Sequence, residues 1–344
     1  AIPWHYASAP AVLQALLGDG VRVKVATKPF TALVAGKGKA FESGTLLVSA
    51  GALSTDEKLA LQERLSVLSQ RHKIPMYNVE RGLTSKGIDL GSRDMRVLKA
   101  VKPLLLTESP VRSGEAGEVW HLLDTRIGLA PTMVNSRQLT GIDLHDYTHL
   151  ILVDGDYKSF SEKASDAIKA WVLSGGIVVA QKRAAVWAER LVFSESAENE
   201  ANESSDQETE RRAYSDFTKD HARNVIGGAI VQAELDLSHP LSFGFQGGKL
   251  PLFRNGTSVL TGPKSAYASV AVYSKTPLLS GYIGDKRLAE FAGRDAVVAD
   301  RVGKGLVVRL ADNPAFRGYW YGSQRLLFNA LYFGSIVDKN ELDK

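Results

Sequence analysis

Two hydrophobic periods alternate along this chain, and their alternation predicts a layered α/β protein. Residues 8–18 are apolar enough for a short helix closing at Gly18, and Val21-Arg22-Val23-Lys24-Val25 alternates with the period of a strand. Leu46-Leu47-Val48 reads as a further strand, residues 55–71 as an amphipathic helix with Leu59, Leu61, Leu65 and Leu68 inward, and Met76-Tyr77-Asn78-Val79 as another strand. The turn-rich passage Gly87-Ile88-Asp89-Leu90-Gly91-Ser92 then leads to the apolar run Pro103-Leu104-Leu105-Leu106. The pattern divides the chain into a small α/β unit over 1–100 and a larger unit over 101–344.

In the larger unit, helical and extended patterns follow one another. Residues 115–123 read as a helix, Thr132-Met133-Val134 as a strand, and Leu150-Ile151-Leu152-Val153 as a buried parallel strand ending in Asp154-Gly155-Asp156. Residues 161–173 read as a helix, and Gly175-Gly176-Ile177-Val178-Val179 opens the next strand, which breaks sharply into a second helix. Such alternation implies an α/β fold with a mainly parallel, doubly wound sheet covered on both faces. β signals dominate further on, in Val270-Ala271-Val272-Tyr273 and in a hairpin turned by Gly303-Lys304-Gly305 before Leu306-Val307-Val308-Arg309-Leu310. A final helix over 323–333 buries Leu326, Leu327, Ala330 and Leu331.

Composition changes this picture in three places. The absence of cysteine excludes disulfides, thiolate metal sites and a thiol nucleophile. The net charge of +4 conceals an acidic run at 194–212, whose seven acids face only Arg211 and Arg212; without apolar periodicity it reads as an exposed insertion. The remaining lysines and arginines are dispersed rather than clustered with aromatics, so no nucleic-acid partner is expected. No run of 18 apolar residues occurs, so no membrane span is expected either. Ala1-Ile2-Pro3-Trp4-His5 is not a signal peptide and lacks an initiator Met, so a larger protein is expected upstream.

Candidate chemistry gathers where the strands end. A strand, tight turn and helix is where hydrolases of doubly wound folds present a nucleophile, and here that turn reads Ala180-Gln181-Lys182-Arg183-Ala184, without Ser or Cys. Asp154 and Asp156 lie beyond the carboxyl end of the preceding strand, where open α/β sheets bind ligands, and Lys182 and Arg183 stand near the next strand's end. These groups could hold a peptide terminus or a sugar, or form a structural ion pair. Asn313, Arg317 and Trp320 lie in an aromatic-rich passage after Leu310, suited to stacking a carbohydrate or to packing a corner. His239 precedes Pro240, which suits a turn anchored by its ring; His145 and His149 fit a loop running into a strand better than a helical metal pair. Gly36-Lys37-Gly38 is followed by Phe41 where a dinucleotide fingerprint requires glycine.

Gly303-Lys304-Gly305-Leu306-Val307-Val308-Arg309-Leu310-Ala311-Asp312-Asn313-Pro314, continuing through Arg317-Gly318-Tyr319-Trp320-Tyr321-Gly322 to Gly334, resembles the C-terminal region of large bacterial zinc carboxypeptidase-like proteins. In these, a carboxypeptidase A-like metallopeptidase domain is followed by a class I glutamine amidotransferase-like domain. Gly87-Ile88-Asp89-Leu90-Gly91-Ser92, Gly117-Glu118-Val119-Trp120-His121-Leu122-Leu123-Asp124 and Leu237-Ser238-His239-Pro240-Leu241 add to the resemblance, which covers nearly the whole chain. It implies a flavodoxin-like amidotransferase domain over 101–344 and an exported, periplasmic or extracellular parent with zinc chemistry upstream. The upstream peptidase domain and a second copy of the chain are then the expected partners. The departures are specific. None of the seven histidines is followed by Glu at the third position, so the family's zinc site does not carry over and no cofactor is expected in this chain. The amidotransferase cysteine is replaced by Gln181 or Lys182, and His239 lacks its paired carboxylate. The expectation is a non-catalytic accessory domain; the alternatives are a hydrolase using Lys182 with Asp154 or His239, or a sugar- or peptide-binding module.

Overall fold

The computed structural model describes residues 1–193 and 211–338. The insertion expected at 194–212 therefore lies, apart from Arg211 and Arg212, outside the described residues. The strands are β1 (Val23–Ala26), β2 (Phe30–Val34), β3 (Lys37–Phe41), β4 (Leu46–Val48), β5 (Lys86–Gly87), β6 (Met95–Val97), β7 (Pro103–Thr107), β8 (Thr132–Asn135), β9 (His149–Leu152), β10 (Ile177–Gln181), β11 (Ala229–Leu235), β12 (Lys249–Arg254), β13 (Ser269–Gly281), β14 (Asp295–Val302) and β15 (Gly305–Leu310). The helices are α1 (Ala9–Gly18), α2 (Thr55–His72), α3 (Ser113–His121), α4 (Glu162–Ser174), α5 (Arg183–Trp187), α6 (Glu189–Val192), α7 (Phe217–Asn224), α8 (Asp285–Phe291) and α9 (Tyr321–Phe333).

The centre is a nine-stranded sheet in the order β12-β11-β13-β14-β15-β10-β9-β7-β8. From β8 to β15 the ladders are parallel, and along the chain these five strands run 2-1-3-4-5, the flavodoxin-like order. The apolar runs that flagged β9, β10 and β15 are buried along their whole length, as strands covered on both faces must be. α3 connects β7 to β8 and α4 connects β9 to β10, steps in opposite directions across the sheet, so the right-handed crossover rule puts the two helices on opposite faces. α9 joins the α3 side, where Tyr332 donates to Gln14 of α1 at 2.9 Å. Beyond β15 the sheet turns antiparallel through the β14–β15 hairpin, with Gly303 at φ 58° in its turn.

The first hundred residues form two three-stranded antiparallel sheets, β4-β1-β6 and β3-β2-β5. Their packing is unequal. Ile2, Trp4, Val12, Leu13, Val23, Leu46 and Leu68 belong to the same apolar core as β7, β9, β10 and α9, whereas Phe30, Ala32, Phe41 and Met95 form a small core of their own. Two expectations fail here. Leu59 is 61% exposed rather than inward, because α2 turns only a narrow stripe around Leu68 to the protein. Residues 76–79 join no ladder; Tyr77 instead exchanges backbone contacts with Ala1. The β2–β3 hairpin, unmarked by apolar alternation, turns through Ala35 and Gly36, both at positive φ as a two-residue primed turn requires.

Candidate functional site

The parallel strands deliver their carboxyl ends to one edge of the sheet, beside the switch point where β7 pairs with both β8 and β9. There β10 ends at Gln181 and α5 begins at Arg183, leaving Lys182 alone to make the turn. Its backbone sits at φ 56° and ψ −123°, a region that costs a side-chain-bearing residue of order 1–3 kcal/mol. The Lys182 N–H donates to the Leu310 carbonyl at 2.7 Å, so the turn is fastened to β15. This is the strained geometry that raises a nucleophile above a sheet. Here it raises an ammonium.

That ammonium is enclosed. Lys182 is only 5% exposed, with Nζ 2.5 Å from Glu115 Oε1 and 3.5 Å from Asp154 Oδ2. Gly256, in the loop after β12, lies over it so closely that a Cβ there would come within 3.2 Å of Lys182 Cε. Gln181 is also buried and donates from Nε2 to Glu115 Oε2 at 3.4 Å. Asp154 meets Arg183 Nε at 2.7 Å and Arg112 Nε at 3.2 Å, so three cations surround two carboxylates. Burial pushes the Asp154 carboxyl up, but the Arg183 hydrogen bond and the charges of Lys182 and Arg112 hold it below its ordinary value. Burial prevails at Glu115, raising its carboxyl despite Lys182.

The other sequence candidates divide between this network and separate roles. Asp156 is exposed and caps a short turn by accepting from the Lys158 N–H at 3.3 Å. Asn313 follows β15 at the same edge; its Nδ2 donates to Glu118 Oε2 at 2.6 Å and its Oδ1 accepts from the Ala315 N–H at 2.8 Å. Arg317 is exposed, with its guanidinium 5.3 Å from the Phe316 ring centre. Trp320 is half-buried and donates from Nε1 to the Pro251 carbonyl at 3.1 Å, holding the corner before α9. His239 stays within its own turn, its Nδ1 accepting from the Leu241 N–H at 3.1 Å. Burial pulls that ring down to about 4. No hydrogen bond or ion pair joins it to Lys182 or Asp154 among the described residues. His145 is exposed on a turn and His149 begins β9 at the opposite edge of the sheet from Lys182. Among the described residues no cluster of three His, Asp or Glu side chains could hold a metal ion.

Reading along the chain missed Glu115, Glu118 and Arg112. The two glutamates lie three apart on α3, so one helix face supplies a partner to Lys182 and another to Asn313. The available signal was position: Glu115 falls in the first turn of the helix that follows the switch-point strand β7. Chemically, the assembled cluster is a charge network with no hydroxyl or thiol at the turn.

No family model and no curated protein matches the chain. Among solved structures, a protein described as ThuA-like from Parabacteroides merdae is 14% identical, over 70% of this chain and 93% of that one, with a TM-score of 0.40. A second, described in the same way, from Bacteroides uniformis is 13% identical over 70% and 93%, with a TM-score of 0.36. A protein from Thermoplasma acidophilum, described as one subunit of a GMP synthase, is 8% identical over 67% and 92%, with a TM-score of 0.35. Neighbours at these levels carry no functional assignment; the flavodoxin-like class of this chain stands on its own strand order.

Proposed function

We propose that this chain is a non-catalytic amidotransferase-like domain. One observation carries the reading: Lys182 holds the strained turn between β10 and α5, where a nucleophile would stand, but is 5% exposed and bound to Glu115 and Asp154. A side chain so enclosed is suited to keeping the sheet edge in place, and its burial weighs against a hydrolase built on Lys182. The resemblance in sequence supports the finer part of the proposal. This domain serves an exported zinc carboxypeptidase-like parent by packing against an upstream peptidase domain, by pairing with a second copy, or by binding a ligand derived from the cell wall. Zinc belongs to that upstream domain.

The test is turnover. The purified chain, incubated with glutamine, aryl esters and peptides, is expected to release no product above buffer. Turnover that disappears in Lys182→Ala would overturn the proposal. The genomic sequence upstream of Ala1 is expected to encode a peptidase domain with a His-x-x-Glu zinc motif, and its absence would remove the assigned parent.

A further inference from the structure

A second cluster of cations lies away from the charge network of Lys182, where α9 meets the turn after α3 and the start of α1. A cavity of about 240 Å³ opens there, with Ser8, Arg126, Ile127, Tyr321, Arg325 and Phe328 in its walls. Two of these six residues are arginines. Neither has a carboxylate within ion-pair distance among the described residues, in contrast to Arg183, Arg254 and Arg309, which are all paired.

Both guanidiniums are held in place. Arg325 projects from α9 and donates to the carbonyls of Trp4, of His5 at 3.0 Å and of Tyr6 at 3.1 Å. Those three bonds leave two of the five N–H donors of its guanidinium without a protein acceptor among the described residues. Burial without a counter-ion pulls its pKa down to about 10. Arg126 is stacked on Tyr321, its guanidinium 3.9 Å from the ring centre, and donates to the Gly318 carbonyl at 3.4 Å. Ala7 and Ser8, which also line the cavity, lead into α1, whose first turn contains no acid and whose Ser8 makes no side-chain cap. The positive end of that helix therefore adds to the same field.

We propose that this cavity binds the oxyanion of a small metabolite, a carboxylate or a phosphate, between the Arg126 and Arg325 guanidiniums. Planar guanidiniums match either group in pairs of N–H donors. The walls supplied by Ile127, Phe328 and the Tyr321 ring suit an apolar or flat remainder. A volume below the ~300 Å³ of drug-sized sites limits the ligand to metabolite dimensions.

Calorimetric titration of the full chain with inorganic phosphate, succinate and a hexaglutamate peptide, at ionic strength fixed with chloride, tests the proposal. Because Arg325 also fastens residues 4–6, the deciding variant is Arg126→Gln, whose parent side chain is exposed; its folding is checked by circular dichroism. Saturable binding of phosphate or succinate, weakened about tenfold or more in Arg126→Gln, is the expected result. Whichever small anion binds more tightly identifies the head group. Failure of both to bind saturably, an unchanged Kd in Arg126→Gln, or binding of the peptide alone would overturn the proposal. The outcome is independent of whether Lys182 is catalytic.

Discussion

Lys182 carries opposing costs at one position. Its backbone is held in a region that glycine tolerates more easily, and its charge is removed from water, yet both are retained because Glu115 would otherwise lose its cation in a largely buried site, whereas Asp154 would keep Arg183 and Arg112. Lys182→Met is therefore expected to destabilise the fold by about 3–5 kcal/mol, and adding Glu115→Gln to restore a large part of that loss. Urea unfolding of the two single variants and the double variant measures this; a single-variant loss below about 1 kcal/mol would show that the ion pairs stabilise little. The chemical identity of this residue was legible in the sequence, since Gln181 and Lys182 stand where a nucleophile would. Of its partners, Asp154 could be placed near it from the strand ends, but Glu115 could not, because it comes from 67 residues away and only the folded sheet edge brings it to the ammonium.

At the scale of elements, the apolar runs were read well where burial on both faces leaves no ambiguity, as in β9, β10 and β15. They were misread where one face meets water. α2 illustrates the difference: its leucines recur with helical spacing, but Leu59 is 61% exposed and Leu68 only 2%. Leu59→Gln is expected to change stability by less than about 0.5 kcal/mol, and Leu68→Ala to cost about 2–4 kcal/mol. Thermal melts of the two variants side by side check the contrast, and equal losses would place α2 differently. The hairpin of β2 and β3 escaped notice because Lys37, Gly38 and Lys39 supply no alternating apolar face, and the turn at Ala35 and Gly36 carries the information instead. Residues 76–79 have strand-like composition but no neighbouring strand to complete a ladder. β-propensity describes fit to a sheet, and a sheet must be there to fit.

The whole molecule should be sensitive to acid through two histidines. Burial pulls both His149 and His239 from 6.5 down to about 4. The unfolded chain binds protons at these sites before the native one does, so the stability they contribute is complete above pH 6.5 and is lost as the pH falls toward 4, by about 3 kcal/mol each. Asp154, held below its ordinary value, adds a loss in the same direction at still lower pH. Glu115, raised by burial, acts in the opposite sense because its protonation favours the folded chain. Denaturant midpoints across pH 4–7 are expected to show this slope, and His239→Asn, which keeps an oxygen at the cap of its turn, to flatten it. An unchanged slope would mean that the His239 ring is reached by protons in the native state.

Trp4 packs its ring 4.7 Å from that of Phe333, and its Nε1 donates to Asn329 at 2.7 Å, a contact spanning 325 positions of sequence. During synthesis this ring emerges long before α9 and cannot be sheltered until that helix has left the ribosome, so closure of this core must be a late event. Proteins dominated by such distant pairings fold slowly. A nascent chain halted before α9 would consequently display Trp4 to chaperones and proteases.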